Sequence, residues 1–381
     1  MTNHLPQGRN SLGVKEPEWP ASRRADPWTL VLGIFGGVLL GTGLTFAILG
    51  YVGVFEEPTP PTIPPAPTLT APGPTSPPPT FGGSVTAAMV AERVIPSTVA
   101  IEVSSFLAEG SGSGVIYGDR GYIITNHHVI DGSPTVSVVF ADGARFPAQV
   151  IGSDPLTDIA VLLVARSDLT PLAIGSSESL TIGEPAVAVG NPLGLSGGPT
   201  VTSGIISALD RTLTMSPGDD LHGLVQTDAP IAPGSSGGAL VDASGRLIGI
   251  TTAIAVSDVG PEGLGFAVPI DLVVEVVNDL IAAGEVRHAL MGINGETAWA
   301  EDNGAEYPVG VLIKSVASGS AYETAGGQVN DVIVAIGDFE VRTIDSLLSR
   351  LRRFREGDTV AVRILRADAE TTLDVTMGLL D

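Results

Sequence analysis

The sequence predicts a mostly β protein: a sandwich or barrel, then a small α+β module, with a membrane span and a proline-rich linker ahead of both. Three observations carry this. Between about 97 and 269, short apolar runs recur roughly every 8–15 residues, broken by Gly, Pro, Asp and Asn, with no helix between them. Between 286 and 381, a helix-like segment sits among strand-like runs. Residues 28–55 carry no charged side chain.

At about 1.5 Å per residue, "WTLVLGIFGGVLLGTGLTFAILGYVGVF" (28–55) exceeds the ~30 Å hydrocarbon layer, so it reads as a retained transmembrane helix. A cleaved signal would have an apolar region of only about 7–15 residues and a small-residue cleavage site. Trp28 and Tyr51 suit the interfacial belts. Arg9, Lys15, Arg23 and Arg24 precede the span, and no further Lys or Arg appears until Arg93. The positive-inside bias therefore makes residues 1–27 a cytoplasmic tail and places all that follows the span outside. Residues 56–84 form a linker, with eleven prolines between Pro58 and Thr80, and read as a semi-rigid polyproline-like spacer.

Net charge is −23, which argues against nucleic acid as a partner. The chain has no cysteine, which removes disulfides, thiol nucleophiles and thiolate metal sites.

In the first globular unit (85–285), "TVAIEVS", "GSGVIY", "YIIT", "TVSVVF", "AQVIG", "IAVLLV", "AVAVG", "TVTSGIISAL", "GLVQT", "GALVD" and "RLIGITTAI" read as strands. "VDASGRLIG" reads as a hairpin turning at Ala243–Gly245. The first clear helix is "PIDLVVEVVNDLIAAG" (269–284), with Asp271 near its start and Gly284 closing it. Three polar spots interrupt this framework. His127 and His128 follow the apolar "YIIT", Asp158 precedes the apolar "IAVLLV", and Ser236 lies in the glycine-rich turn of "QTDAPIAPGSSGGAL" (226–240). Serine-based hydrolysis requires an imidazole to take the hydroxyl proton, a carboxylate to orient it, and backbone N–H groups aimed at the developing oxyanion. Taken singly, each spot reads as a turn, cap or satisfied polar residue. Adjacent histidines can suggest metal, but no HExxH-like spacing accompanies them, so no metal or cofactor is expected. His4, His222 and His288 have no polar motif around them.

Seven collinear stretches settle the choice. "GSGVI", "TNHHV", "DPLTDIAVL", "GNPLGL", "TSGIIS", "QTDAPIAPGSSGGAL" and "GLGFAVP", spread over about 170 residues, resemble the signature blocks of the HtrA, or Deg, family of trypsin-like serine proteases. The resemblance implies a two-barrel trypsin-like fold, with His128 as general base, Asp158 as orienting carboxylate and Ser236 as nucleophile. Asp154 and Asp228 lie outside the family's carboxylate position. The oxyanion hole would be formed at Gly234, Ser235 and Ser236, from the backbone N–H groups of Gly234 and Ser236. Two departures stand out: Ser235 and Ala232 replace asparagines of the family pattern, which raises the question of what holds the turn. Substrate would pair as a strand beside Thr251, Thr252, Ala253 and Ile254, with cleavage after small aliphatic residues of unfolded or misfolded proteins.

The second unit (286–381) is similar to the PDZ domain that follows the protease in that family. Met291, Gly292 and Ile293 match its peptide-binding loop, whose N–H groups would receive the C-terminus of a peptide. The whole then reads as a membrane-anchored serine endopeptidase in protein quality control. Family members often work as trimers, so a homo-oligomer is expected. The competing reading is a membrane-tethered peptide-binding scaffold or chaperone with little proteolytic activity.

Overall fold

The computed structural model describes residues 86–381, apart from 105–108, 192–197, 217–218, 258–259, 368 and 381. The expected span 28–55 and the linker lie outside the described residues. Among those that are described, no helix is long and apolar enough to cross a membrane.

Helix α1 (Ala87–Val94) opens the described chain; it is capped by the Thr86 hydroxyl and buries Val90 and Val94. Within the first globular unit, the sequence predicts no helix before 269. This one is only eight residues long, too short to show a clear period. The apolar runs then fold into two closed six-stranded barrels. The first runs β1 (Thr98–Ser104), β2 (Glu109–Tyr117), β3 (Tyr122–Thr125), β6 (Ile159–Val164), β5 (Arg145–Asp154) and β4 (Thr135–Val139). The one-turn helix α2 (His127–Ile130) follows β3. The second barrel comprises β7 (Pro185–Gly190), β8 (Thr200–Ser216), β9 (Asp219–Thr227), β10 (Ala239–Asp242), β11 (Leu247–Ser257) and β12 (Gly260–Pro269), in the order β10-β11-β12-β9-β8-β7. Strand β12 is absent from the strand-like runs read above.

The wholly apolar character of several strands has a geometric cause. Side chains alternate faces along a strand, so a strand buried on both sides must be apolar throughout. In β6, Ala160, Leu162 and Val164 enter the first barrel's core, while Ile159 and Val161 enter a second cluster. In β7, Ala186 and Ala188 face the second barrel's core, and Val187 and Val189 enter the same second cluster. That shared cluster joins the barrels, and helix α3 (Ile270–Ala283) seals it with Val273, Val276, Val277 and Leu280. Gly284 ends α3 with φ 80°, a left-handed cap.

The second module is the α+β arrangement expected. Strands β14 (Ile293–Asp302), β15 (Ala305–Val316), β16 (Val332–Ile336), β18 (Thr359–Arg366) and β19 (Ala369–Thr376) form one sheet, with the short β17 (Phe339–Glu340) on β16. β13 (Ala289–Leu290) pairs with β20 (Gly378–Leu379), and the one-turn α4 (Ala321–Thr324) follows β15. Helix α5 (Ile344–Leu351) starts with a capping box between Thr343 and Ser346. It also meets the first unit, where Ser349 lies against Gly223 and Arg350 pairs with Asp210 at 2.9 Å.

Candidate active site

His128 and Asp158 reach each other because β3 and β6 are neighbours in the first barrel. The chain leaves β3 into α2, and the turn 154–158 delivers Asp158 to the start of β6 beside it. His128 Nδ1 lies 2.8 Å from Asp158 Oδ2 and 3.0 Å from Oδ1, and the backbone N–H of His128 donates to Oδ1 at 3.0 Å. With an ionised carboxylate as acceptor, Nδ1 carries the proton and Nε2 is left with its lone pair. The His128 side chain is 39% exposed and that of Asp158 6%, so the imidazole meets solvent and the acid is enclosed. His127 points elsewhere, its Nδ1 lying 3.1 Å from Ser153 Oγ.

Asp158 has φ 57°, in the left-handed region. Its carbonyl is held there by the Asn126 side-chain amide at 2.9 Å and the His127 N–H at 3.1 Å. Asn126 is fully buried. The expected carboxylate rivals are occupied elsewhere: Asp154 with His288, and Asp228 with the N–H of Ile205 at 2.7 Å.

Ser236 sits across from this pair on the turn before β10. Its Oγ donates to the Thr252 carbonyl at 2.8 Å, while the Thr252 hydroxyl donates to Asp158 Oδ2. Thr252 can touch both because it is the extra residue of a β-bulge. Thr251 opposes Ala267 and Ala253 opposes Phe266, which leaves Thr252 outside the ladder. The side chains of Thr251 and Thr252, expected to line the substrate cleft, are both buried. Thr251 bonds the Ser235 carbonyl at 2.7 Å and Thr252 bonds Asp158, so these two side chains serve the site itself. Thr252's role could have been read only with the bulge in view.

Of the three residues named for the oxyanion hole, Ser235 spends its N–H on the Ala232 carbonyl at 2.9 Å. Among the described residues, the N–H groups of Gly234 and Ser236 have no hydrogen-bond acceptor. Gly237, at φ 85°, has no room for a side chain: a Cβ there would collide with the Ser113 carbonyl and Thr125 Oγ1. Ile231 fills the space over Gly265, where a Cβ would lie 2.6 Å from Ile231 Cδ1. Among the described residues, no cluster of three or more His, Asp or Glu is arranged to hold a metal ion.

In the second module the carbonyls of Met291 and Gly292 accept from Tyr322 N at 3.1 Å and Ala317 N at 2.9 Å. Since C=O and N–H of a trans peptide point oppositely, the N–H groups of Gly292 and Ile293 face away from these partners. The Met291 side chain is buried in the module's core.

Residues 112–250 match the trypsin-like peptidase domain family, and residues 285–377 match the PDZ domain family. Serine protease Do-like HtrA of Lactococcus lactis is 38% identical over 301 residues, 74% of this chain and 72% of that protein. Its namesake from Bacillus subtilis is 37% identical over 285 residues, 70% of this chain and 63% of the relative. The periplasmic pH-dependent serine endoprotease DegQ of Escherichia coli is 40% identical over 277 residues, 71% of this chain and 59% of the relative. The chain thus spans about three fifths of the length of the latter two. Among solved structures, the HtrA-type protease AlgW with a tripeptide superposes with a TM-score of 0.65 at 33% identity, over 78% of this chain and 98% of that one. With a shared two-module architecture and this identity across most of the Lactococcus protein, the chain belongs to the HtrA family of serine proteases.

Proposed function

We propose that this chain is a membrane-anchored serine endopeptidase that cleaves unfolded or misfolded proteins outside the cytoplasm. The observation that carries the reading is Thr252, whose hydroxyl bonds Asp158 and whose carbonyl receives Ser236, so that acid, base and hydroxyl share one small site. In the reaction, Ser236 Oγ leaves the Thr252 carbonyl and gives its proton to His128 Nε2 as it attacks the scissile carbonyl. The imidazolium, steadied by Asp158, then protonates the leaving amine. Water, deprotonated in turn by His128, hydrolyses the acyl-enzyme. The N–H groups of Gly234 and Ser236 would bind the oxyanion. Ile231 over Gly265 supports a preference for small aliphatic side chains. The loop at Gly292 and Ile293 would capture peptide C-termini, a reading helped by the peptide-bound form of AlgW. Anchoring through 28–55, with residues 1–27 cytoplasmic and the enzyme outside, rests on the apolar run and its basic flank. A homo-oligomer, such as a trimer, follows from family membership.

One observation favours the scaffold reading: among the described residues, Ser236 Oγ bonds Thr252 and makes no hydrogen bond to His128. Casein digestion by the full chain in detergent, beside Ser236→Ala, separates the two. Cleavage is expected for the parent and a loss of at least ~10³-fold for the variant. Absence of cleavage by either, with peptide binding intact, would establish the scaffold.

A further inference from the structure

The asparagines that the family pattern places at 232 and 235 are absent, and behind the turn lies a cavity of about 110 Å³ bounded by Gly190, Thr202, Ile231, Ala232 and Ser235. The turn is therefore not packed from behind by its own side chains. Something else must fix the peptide planes on which the oxyanion site depends.

The three peptide planes between Gly234 and Gly237 can be followed by their partners. The carbonyl of Ser235 accepts from Thr251 Oγ1 at 2.7 Å and from Gly238 N at 2.9 Å. Because the N–H on the far side of a trans peptide points the opposite way, this directs the Ser236 N–H away from β11, where it has no acceptor among the described residues. The carbonyl of Gly234 accepts from Ser113 Oγ at 2.8 Å, and the carbonyl of Ser236 accepts from Ser113 N at 2.7 Å. Ser113 Oγ itself accepts from Asn191 N at 2.8 Å, so its single proton is committed to Gly234. Ser113 and Thr251, the hydroxyl donors of these bonds, are 0% and 1% exposed. Ser113 comes from β2 of the first barrel and Thr251 from β11 of the second, so the turn is clamped from both barrels.

We propose that the hydroxyls of Ser113 and Thr251 are positioning groups for the oxyanion site: Thr251 sets the Ser236 peptide, and the Ser113 hydroxyl holds the Gly234 carbonyl one peptide before it. The assignment rests on Ser236 being the nucleophile. It predicts a penalty that appears when negative charge develops on the substrate oxygen and not when a neutral peptide binds.

The test uses the full chain in detergent with Thr251→Val, which keeps the shape and removes the hydroxyl, Thr251→Ser, which restores it, and Ser113→Ala. A peptide substrate gives kcat and KM. A peptide boronate, which forms a tetrahedral adduct with the serine, is compared with the same peptide ending in a carboxamide. Thr251→Val and Ser113→Ala are expected to lose about 10–100-fold in kcat and in boronate affinity, with KM and carboxamide affinity within about 3-fold. Thr251→Ser is expected to return within about 3-fold of the parent. Equal losses for boronate and carboxamide, or a Thr251→Val enzyme matching the parent, would overturn the proposal. If Thr251→Val does not fold, Ser113→Ala decides on the same boronate-to-carboxamide ratio. A parent chain that reacts with neither substrate nor boronate sinks the protease reading instead.

Discussion

Asp158 shows what a single residue must satisfy here. It needs a carboxylate facing the imidazole and a backbone that turns left-handed, and Asp is among the few residue types that tolerate that conformation. Asn tolerates it too, so Asp158→Asn is expected to keep its melting temperature within a few degrees. It loses the correct histidine tautomer, and kcat is expected to fall by about 10⁴-fold. Paired kinetic and calorimetric measurements check this; a melting temperature that collapses with activity would mean the carboxylate is mainly structural. His128, Asp158 and Ser236 could be named from the sequence as candidates because each is a chemically capable side chain within a recognisable block. Asn126, Ser113 and Thr252 were not legible in these roles. Their partners lie 32, 121 and 94 residues away, and an ordinary Asn, Ser or Thr gives no sign of them.

At the level of elements, the site depends on a strand irregularity and a turn. The bulge in β11 takes Thr252 out of the ladder, while Thr251 stays paired with Ala267 and bonds the turn. Two neighbouring threonines thereby bond the 234–236 turn and Asp158 separately. Gly237 lets the turn pass against β2, so Gly237→Ala should displace it: activity is expected to fall below 1% of the parent in a peptide-cleavage assay, with a lowered melting temperature. The alternating and fully apolar runs made most strands visible in the sequence. β12 escaped because its glycines and prolines read as loop, although the fold uses Gly265 to admit Ile231. Barrel closure itself has no local signal, because it is a property of which strands pair.

Across the whole molecule, the PDZ module is joined to the protease through charges that the sequence hides. His288 Nε2 lies 2.9 Å from both oxygens of Asp154, and both side chains are buried. Asp154 opens the turn that ends at Asp158, so this contact links the module junction to the carboxylate paired with His128 by four residues of chain. Burial pushes the Asp154 carboxyl up, but the hydrogen bond and charge of His288, the Thr157 hydroxyl and the Leu156 N–H together hold it below its usual range. The folded form therefore binds that proton less readily than the unfolded chain. Its contribution to stability is complete above the ordinary Asp value of about 3.9 and is lost as pH falls below it. Asp154→Asn should flatten the loss of melting temperature below about pH 4, and an unchanged acid limb would rule out this origin. His288→Ala, by leaving a buried carboxylate unpaired, is expected to cost about 3–5 kcal/mol in urea unfolding. Arg350, Arg353 and Arg355 reach Asp210, Glu178, Glu275 and Asp279 nearer the surface, where each pair contributes about 0–1 kcal/mol. His288 lies in no polar motif, and its partner was hidden because Asp154 is 134 residues away.

The most direct test is covalent. The full chain in detergent is treated with a fluorophosphonate probe, and the modified residue is located by mass spectrometry. Stoichiometric labelling of Ser236, at least ~10³-fold slower in His128→Ala and absent in Ser236→Ala, is the expected result. A parent chain left unlabelled, or labelled equally fast without His128, would contradict a hydroxyl activated by that imidazole.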